Sequence, residues 1–526
     1  MTNHYRPTWD SLQQHVMPTW LVNAKFGIYF HWGVYSVPAC GPNGSWYPHN
    51  MYRPGTKQYN HHVKTFGDPS KFGYKDFIPM FTAEKFDPAA WARLIKGTGA
   101  RFAGPVAEHH DGFSMWPSKV NPWNAGAMGP KRDIVGEIAK ALRDEGLKFL
   151  VAFHHAENWW FYPHWEKAYD TADPKYAGLY GPLHDQDADP GKDWEMHEQP
   201  TAAFWEQWKA KIFEVMDAYR PDVMWFDFGL RYVPDQHKRE VLARFYNRAI
   251  EWGKEVGVIY KMHDLPPNIG LLDFELGRSR DLADYRWITD TSVDDQGAWG
   301  YVKEAGFKPS TRVIHALIDQ VAKNGAMLLN FGPKPDGEIP LGAQQCLREI
   351  GEWMRINRDA IHDTNPWCIA EEGPIKTKRS GMFSERRNET YTPLDLRFMV
   401  KENALFICCL GWPGKELHVR TLIETKKALH DHEQPWSIRA YLQARSLLKG
   451  TPHPNRRAIA ATARYLLKKS RLPRHYFLDP ALVQAIELLG HPEPLKWAMT
   501  GEGLKVQMPD TMPCKSACTF KITFKQ

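Results

Sequence analysis

Short apolar runs alternate with amphipathic stretches along the first two thirds of the chain. The clearest run covers residues 223–227, where four apolar residues lead directly into the carboxylate of Asp227. A short, continuous apolar run is typical of a strand that is buried on both faces of a parallel sheet. Residues 133–146 instead repeat their apolar positions with the period of a helix. The pattern therefore predicts strands that alternate with helices.

Eight segments of the first kind precede residue 332. The predicted strands cover residues 25–31, 101–109, 149–154, 223–227, 258–260, 271–275, 285–288 and 327–331. Predicted helices lie between them at residues 91–96, 133–146, 204–219, 237–255 and 310–323. Eight strand–helix units in roughly 300 residues is the scale of a (β/α)8 barrel. We therefore predict an α/β fold in which residues 1–362 form a (β/α)8-type barrel.

The pattern changes after the helix predicted at residues 341–361. Short strands without intervening helices are predicted at residues 396–399, 404–410, 485–490, 503–506 and 518–524. The last of these alternates clearly between apolar and polar residues, as a strand with one buried face does. We therefore predict that residues 363–526 form an all-β sandwich domain.

A basic segment interrupts this second domain. No acidic residue lies between Glu433 and Asp479, and the segment contains ten Lys or Arg residues, while apolar residues such as Ile459, Ala463 and Leu466 recur at helical spacing. The ten are Arg439, Arg445, Lys449, Arg456, Arg457, Arg464, Lys468, Lys469, Arg471 and Arg474. We interpret residues of about 430–480 as a helical insertion. Its charge suits a solvated face or an oligomer contact, or alternatively a site for a polyanion such as a sulfated polysaccharide.

Charge and composition exclude several classes of protein. The 526 residues carry a formal charge of +6, from 67 basic and 61 acidic residues, which is too small an excess to indicate nucleic-acid binding. Seven cysteines are too sparse for a disulfide framework. Neither a run of about 18 apolar residues nor a signal-peptide pattern is found, so we expect a cytoplasmic protein with no membrane partner. A signal peptide that had been removed would leave no trace.

Polar side chains stand at the ends of the predicted strands. They are His31, His109, His110, His154, His155, Asp227 and Glu275. The carboxyl ends of all strands in a barrel open onto the same face, where catalytic groups are found. A single histidine in such a position is usually structural, but five histidines and two carboxylates on one rim indicate a functional site.

The two carboxylates suggest glycoside hydrolysis. Asp227 and Glu275 end the fourth and sixth strands, so they can face each other across the mouth of a barrel. Two opposed carboxyl groups are what cleavage of a glycosidic bond requires. Structural alternatives are that Asp227 caps the next turn and that Glu275 pairs with Arg278 or Arg280.

Other catalytic motifs fit less well. The sequence 109–111 (HHD) ends a strand and lacks the helical i, i+4 histidine pair of zinc peptidases, so a metal hydrolase is the weaker interpretation. Neither a phosphate-binding Walker loop nor a Gly-x-Ser-x-Gly motif occurs.

Five motifs resemble one known family. They are KFGIYFHWG at 25–33, EHHDGFSMW at 108–116, WFD at 225–227, WGY at 299–301 and NGAMLLNFGP at 324–333. Together they resemble glycoside hydrolase family 29, the α-L-fucosidases. The resemblance extends over residues 24–333, and the C-terminal strands are similar to the β domain of that family.

The resemblance implies a retaining exo-glycosidase that removes terminal α-L-fucose from oligo- or polysaccharides without a metal or an organic cofactor. It implies that Asp227 is the nucleophile and that Trp46 lines the sugar pocket. It implies that His31, His109 and His110 bind the sugar hydroxyls. Strand position, rather than a motif, suggests Glu275 as the acid/base, and His154 and His155 as further substrate-binding residues.

The sequence departs from the family pattern near the predicted pocket. Ser45 stands where the family commonly has Glu, and Glu108 stands where it commonly has Lys. An Arg expected after the fifth strand has no clear match, although Lys261 and His263 lie near that place. These departures leave open a related sugar such as α-L-galactose, or a non-catalytic glycan-binding barrel. Oligomerisation is possible on this sequence.

Overall fold

A closed barrel of eight parallel strands forms the first part of the protein. The computed structural model describes residues 4–184, 199–385, 390–424 and 476–525. The barrel strands are β1 (Phe26–Phe30), β2 (Phe102–Glu108), β3 (Lys148–Phe153), β4 (Val223–Phe226), β5 (Gly257–Tyr260), β6 (Leu271–Asp273), β7 (Trp287–Ser292) and β8 (Met327–Phe331). They are neighbours in chain order, and β1 pairs with β8 to close the ring. The predicted (β/α)8-type barrel is confirmed.

Helices connect most of the barrel strands, although the structure describes none between β5 and β6 or between β6 and β7, and several helices begin at a polar cap. The helices are α1 (Trp9–Leu12), α2 (Thr19–Ala24), α3 (Tyr47–Asn50), α4 (Lys57–Thr65), α5 (Pro88–Gly97), α6 (Ile134–Asp144), α7 (Asn158–Phe161), α8 (Ala177–Tyr180), α9 (Ala202–Tyr219), α10 (Asp235–Trp252), α11 (Ser310–Ala322) and α12 (Leu341–Asn357). The side chains of Asp87, Asp133 and Thr201 accept hydrogen bonds from the first turns of α5, α6 and α9. These caps satisfy backbone N–H groups that otherwise have no partner in the helix.

A bulge lies at the end of β2, next to the predicted histidines. The register with β3 shifts between Val106 and Glu108, so that Glu108 lies opposite Phe153. Bulges re-aim the side chains that follow them and are common beside active sites. The chain leaves the sheet at His109 and His110 directly after this irregularity.

The seventh strand differs from its predicted position. It was predicted at residues 285–288, but β7 runs from Trp287 to Ser292 and is buried throughout. The last four of its six residues are polar (Thr289–Asp290–Thr291–Ser292), so its apolar signal ends at Ile288. Burial of these residues is possible because they have polar partners: Thr289 Oγ1 donates to the carbonyl of Phe274, and Tyr29 donates to Asp290.

The C-terminal strands form antiparallel sheets around a second core, as predicted. Their bounds are β9 (Asn365–Glu372), β10 (Leu396–Lys401), β11 (Ala404–Cys409), β12 (Glu416–Val419), β13 (Leu422–Glu424), β14 (Tyr476–Leu478), β15 (Val483–Leu488), β16 (Trp497–Thr500), β17 (Gly503–Gln507) and β18 (Cys518–Phe524). One sheet has the order β15-β18-β11-β10-β9 and another has the order β12-β17-β16, while β13 and β14 form a short parallel pair. Phe398, Ile407 and Phe520 of the first sheet share a buried core with Leu417 and Leu504 of the second.

The chain forms two compact units. The first comprises Met1–Gly277, Trp287–Pro309 and Met327–Gly351 and contains all eight barrel strands. The second comprises Arg278–Arg286, Ser310–Ala326 and Glu352–Gln526. The domain boundary placed at residue 362 from the sequence stays a prediction. The basic insertion predicted at about 430–480 lies almost entirely outside the described residues. Among the residues that are described, no helix has the length and apolar character needed to cross a membrane.

Candidate active site

The predicted site residues stand at the carboxyl ends of the barrel strands. His31 follows β1, His109 and His110 follow β2, and His154 follows β3. Asp227 follows β4, and Glu275 lies two residues beyond β6. Each of these residues is at most 7% exposed. The mouth of the barrel is therefore lined by polar groups that are shielded from water.

Four histidine rings pack against one another at this mouth. The ring centroid of His109 lies 4.3 Å from that of His110 and 4.9 Å from that of His154. His31 completes the group, with its centroid 5.0 Å from that of His154. The structure thus brings together four of the five histidines predicted from the strand ends.

Hydrogen bonds fix the orientation of two of these rings. His31 Nδ1 lies 2.8 Å from Asn330 Oδ1, and His110 Nδ1 lies 2.8 Å from the carbonyl oxygen of His154. A carbonyl oxygen only accepts, so Nδ1 of His110 carries the proton in this arrangement. Burial lowers the pKa of His31 and His109 well below the usual range, and it lowers the pKa of His110 to about 3. These rings are therefore neutral near pH 7, and each can donate one hydrogen bond and accept another.

Asp227 stands between these histidines and a lysine. Its Oδ2 lies 2.8 Å from Nδ1 of His154, and its Oδ1 lies 2.9 Å from Nζ of Lys261. Burial alone raises the pKa of this carboxyl. The attraction of Lys261 and His154 outweighs burial and holds the pKa of Asp227 well below its usual range. Asp227 is therefore an ionised carboxylate in a water-poor site, as a nucleophile must be.

Lys261 joins the two predicted catalytic carboxyl groups. This residue follows β5, is 2% exposed, and contacts both Asp227 Oδ1 and Glu275 Oε2 through Nζ. Because both carboxyl groups contact one nitrogen, their nearest oxygens lie no more than about 6 Å apart. The closing of the barrel thus places the ends of β4, β5 and β6 around one ammonium group.

The pKa of Glu275 is shifted in the opposite direction to that of Asp227. Burial raises the pKa of Glu275 to about 7, against the attraction of Lys261, and repulsion from Asp290 and Asp227 adds to the rise. Two carboxyl groups whose environments push their pKa values apart can take the two roles of acid and anion. Glu275 has the properties of a proton donor, and Asp227 has those of a charged nucleophile.

Two further buried carboxyl groups, Asp290 and Asp273, were missed by sequence reasoning. Asp290 Oδ2 lies 3.2 Å from Nζ of Lys261, and it accepts a hydrogen bond from the hydroxyl of Tyr29. Asp273 accepts hydrogen bonds from the indole of Trp225 and from the backbone of Asp290. Asp290 could not be predicted because it lies in the polar part of β7, where no apolar run indicates a strand.

Lys261 stabilises this excess of negative charge. Burial lowers the pKa of its ammonium group, but Asp227, Asp290, Glu275 and Asp273 together raise the pKa well above its usual value. The ammonium also lies 4.8 Å from the ring centroid of Trp225. Lys261 therefore supplies a fixed positive charge at the place where the family pattern led us to expect an Arg.

Aromatic side chains surround the group of histidines. The half-buried ring of Trp46 stands edge-on to that of His110, with 5.5 Å between their centroids, and it contacts Phe161 in the same way. The ring centroid of Trp299 lies 5.4 Å from that of His31. Such rings offer flat apolar surfaces to the C–H groups of a sugar.

His155 is not part of this group of four histidines. Its ring packs against Trp208 of α9 at 6.0 Å, and its Nε2 lies 3.2 Å from the carbonyl oxygen of Trp208. A histidine with these partners anchors the end of β3 against the outer helix. Its predicted contact with a substrate stays a prediction.

The residues at which the sequence departs from the family pattern are buried. Ser45 donates a hydrogen bond from Oγ to Asn43 Oδ1. Glu108 contacts the ammonium of Lys211 and accepts a hydrogen bond from Ser114. Glu108 thus finds a partner of opposite charge on α9, which compensates for its burial.

Two sets of buried donors at this mouth are close enough to hold a metal ion. They are His31, His109 and His154, and His110, His154 and Asp227, and the donor atoms within each set lie within 4.8 Å of one another. Neutral imidazole nitrogens suit Zn²⁺, but they are equally suited to sugar hydroxyls. Lys261 already provides a positive charge beside Asp227. These nitrogens can therefore exchange hydrogen bonds with hydroxyl groups.

Comparison with known proteins identifies the family. Residues 1–359 match the family profile described as Alpha-L-fucosidase, and residues 387–523 match the profile described as Alpha-L-fucosidase C-terminal domain. Tissue alpha-L-fucosidase of Rattus norvegicus is 30% identical over 430 residues, which are 78% of this chain and 80% of the rat protein. Alpha-L-fucosidase of Branchiostoma floridae is 31% identical over 414 residues, or 73% of this chain and 80% of that protein.

A solved structure is similar in fold. The structure of Thermotoga maritima alpha-fucosidase in complex with fucose is 25% identical in sequence and has a TM-score of 0.69. The match covers 99% of this chain and 100% of that one. The closed barrel, the C-terminal β domain and both family profiles lead to one assignment. The chain belongs to glycoside hydrolase family 29, the α-L-fucosidases, and is a glycosidase that removes fucose.

Proposed function

We propose that this α-L-fucosidase is exo-acting and retaining, with Asp227 as the nucleophile and Glu275 as the acid/base. The observation that carries this proposal is the pair of carboxyl groups held by Lys261, one ionised and the other with a raised pKa. Their estimated separation of no more than about 6 Å is compatible with the ≈ 5–5.5 Å of retaining enzymes, whereas inverting enzymes leave room for a water between the carboxyl groups.

The first step forms a covalent intermediate. An oxygen of Asp227 attacks C1 of the fucose, and the bond between C1 and the glycosidic oxygen breaks. Glu275 gives its proton to that oxygen, so the aglycone leaves as an alcohol. Lys261 is next to both groups and stabilises the charge that passes to Glu275.

The second step releases fucose. The carboxylate of Glu275 removes a proton from water, and the resulting hydroxide attacks C1 from the face that the aglycone left. The ester bond to Asp227 breaks and the nucleophile is regenerated. Two inversions at C1 give a product with the α configuration of the substrate.

The surrounding side chains suit a terminal sugar. Neutral His31 and His109 can exchange hydrogen bonds with hydroxyl groups, and Trp46 offers an apolar face. All the catalytic groups are buried, which fits an enclosed pocket for a single sugar rather than an open cleft. The family assignment favours fucose over the two alternatives, α-L-galactose and a non-catalytic barrel.

The configuration of the first product tests the proposed mechanism. We expect proton NMR during hydrolysis of an aryl α-L-fucoside to show α-L-fucose first and the β anomer only later, by mutarotation. The control is authentic α-L-fucose in the same buffer, which gives the rate of mutarotation. Appearance of the β anomer first would indicate inversion and contradict the assignment of Asp227 as a covalent nucleophile.

We also propose that the fucosylated substrate is held by the basic segment when it is sulfated. Support comes from the sequence alone: ten basic residues and no acidic residue lie between Glu433 and Asp479. The cytoplasmic location expected from the sequence likewise stays a prediction.

Retention on an immobilised sulfated polysaccharide tests this second proposal. Replacing Arg456, Arg457, Lys468 and Lys469 together by Gln should weaken retention, most clearly below about 0.1 M salt, where charges are poorly screened. The control variant replaces four exposed lysines of the barrel unit, Lys57, Lys64, Lys131 and Lys167. Equal retention of both variants and the wild type would leave only a structural role for the segment.

A further inference from the structure

One buried carboxyl group beside the active site has no part in the proposed mechanism. Glu157 ends the short 3-10 turn His155–Glu157 that follows β3, and it is 3% exposed. Its Oε2 lies 3.4 Å from Nε2 of His110 and has no hydrogen bond of good geometry among the described residues. A buried carboxyl oxygen without a partner is costly unless a proton joins it to its neighbour.

His110 offers only a lone pair at this place. Its Nδ1 faces the carbonyl oxygen of His154 and carries the proton of the neutral ring. Its Nε2 therefore faces two carboxyl oxygens without a proton, namely Asp227 Oδ2 at 3.5 Å and Glu157 Oε2 at 3.4 Å. Three groups that only accept hydrogen bonds would repel one another, so one proton must lie among them.

The electrostatic environment decides which carboxyl group carries that proton. The charged and titratable groups that act on Glu157 are His110, Asp227, Arg231, Lys261 and Glu275. Burial raises the pKa of Glu157 well above its usual value; repulsion from Asp227 and Glu275 adds to this rise, and Arg231 and Lys261 oppose it. Asp227 is held in the ionised form, so the proton stays with Glu157.

We propose that Glu157 is a positioning residue that acts through His110, with its carboxylic acid O–H donating a hydrogen bond to His110 Nε2. This bond would fix the ring of His110 and keep it from becoming an imidazolium that ion-pairs with the nucleophile. The proposal rests on the proposed role of Asp227. It adds a residue that none of the family motifs contains and that need not touch the sugar.

Two replacements of similar size separate hydrogen bonding from packing. Glu157→Gln keeps a neutral donor, so it should retain at least about a third of the wild-type kcat/KM for an aryl α-L-fucoside. Glu157→Met fills the same space without a donor, and it should lower kcat/KM roughly 10- to 100-fold because Nε2 of His110 loses its partner. Circular dichroism and thermal unfolding of both variants identify any loss that is due to misfolding.

A double-mutant cycle tests whether the effect passes through His110. In a His110→Ala background, Glu157→Met should lower kcat/KM by less than about twofold further, because the partner of the hydrogen bond is already absent. Three results would overturn the proposal. They are a Gln variant as slow as the Met variant, a Met variant as fast as the wild type, and a full additional loss in the His110→Ala background.

Failure of this inference can be told apart from failure of the proposed function. The chemical role of Asp227 is read from azide rescue of a variant that retains Glu157, as described below. The contrast between Gln and Met is read in proteins that retain Asp227. If azide rescues the Asp227 variant but the Gln and Met variants of Glu157 have the same activity, only the role of Glu157 is rejected.

Discussion

Replacing Asp227 with glycine should lower kcat for an aryl α-L-fucoside roughly 10³- to 10⁵-fold, and sodium azide should restore part of the rate. The loss follows because Asp227 is the carboxylate that we assign to attack C1. Glycine leaves a cavity beside Lys261 and His154 that a small anion can enter. Azide would attack from the side opposite to the aglycone, so the expected product is β-L-fucosyl azide, identified by NMR.

Asp227→Asn is the matched control for this experiment. Asparagine has the shape of aspartate, but it is a poor nucleophile and leaves no cavity for azide. We expect this variant to be as slow as the glycine variant and to remain slow in azide. Near-wild-type turnover in either variant would exclude Asp227 as the nucleophile, and an α-configured azide would exclude the assigned direction of attack.

Replacing Glu275 with alanine should lower the rate in a way that depends on the leaving group. A substrate whose aglycone needs protonation should react roughly 10²- to 10⁴-fold more slowly, whereas a highly activated aryl fucoside should form the covalent intermediate at a nearly normal rate. Azide would then attack that intermediate, and the product would be α-L-fucosyl azide. The opposite configurations obtained from the two variants distinguish the acid/base from the nucleophile.

The pH profile provides a second measurement of Glu275. The first step needs Glu275 protonated. The value of kcat/KM should therefore be constant below the Glu275 pKa of about 7 and should fall as the pH rises through that value. Asp227 must be ionised, and its lowered pKa should keep the enzyme active well into the acid range. The Ala variant should lose the alkaline limb of the profile.

Asp290→Asn is the matched control for Glu275. Asp290 also contacts Lys261, but it is fully buried and bonded to Tyr29. Its replacement should not permit azide rescue. If azide rescued the Asp290 variant and not the Glu275 variant, the acid/base would have to be reassigned.

The central strand of the site was predictable because its local signal is strong. The run that ends at Asp227 is apolar, short and buried, and histidines stand at the ends of three other predicted strands. The same reasoning failed at Asp290, because a buried polar half-strand resembles a loop in sequence. Sequence reasoning also did not predict Glu157, because a residue in a short turn belongs to no periodic pattern.

The sequence by itself determined the order of strands and helices, the two-part architecture, the family and the position of Asp227 at a strand end. Only the tertiary structure decided that Lys261 joins Asp227 and Glu275, that Asp290 shares this lysine, and that Glu157 faces His110. The physical reason is that protonation depends on burial and on neighbours that are distant along the chain. Closing the barrel brings these groups together in a water-poor space, where a single ammonium or a single proton decides which carboxyl group is charged.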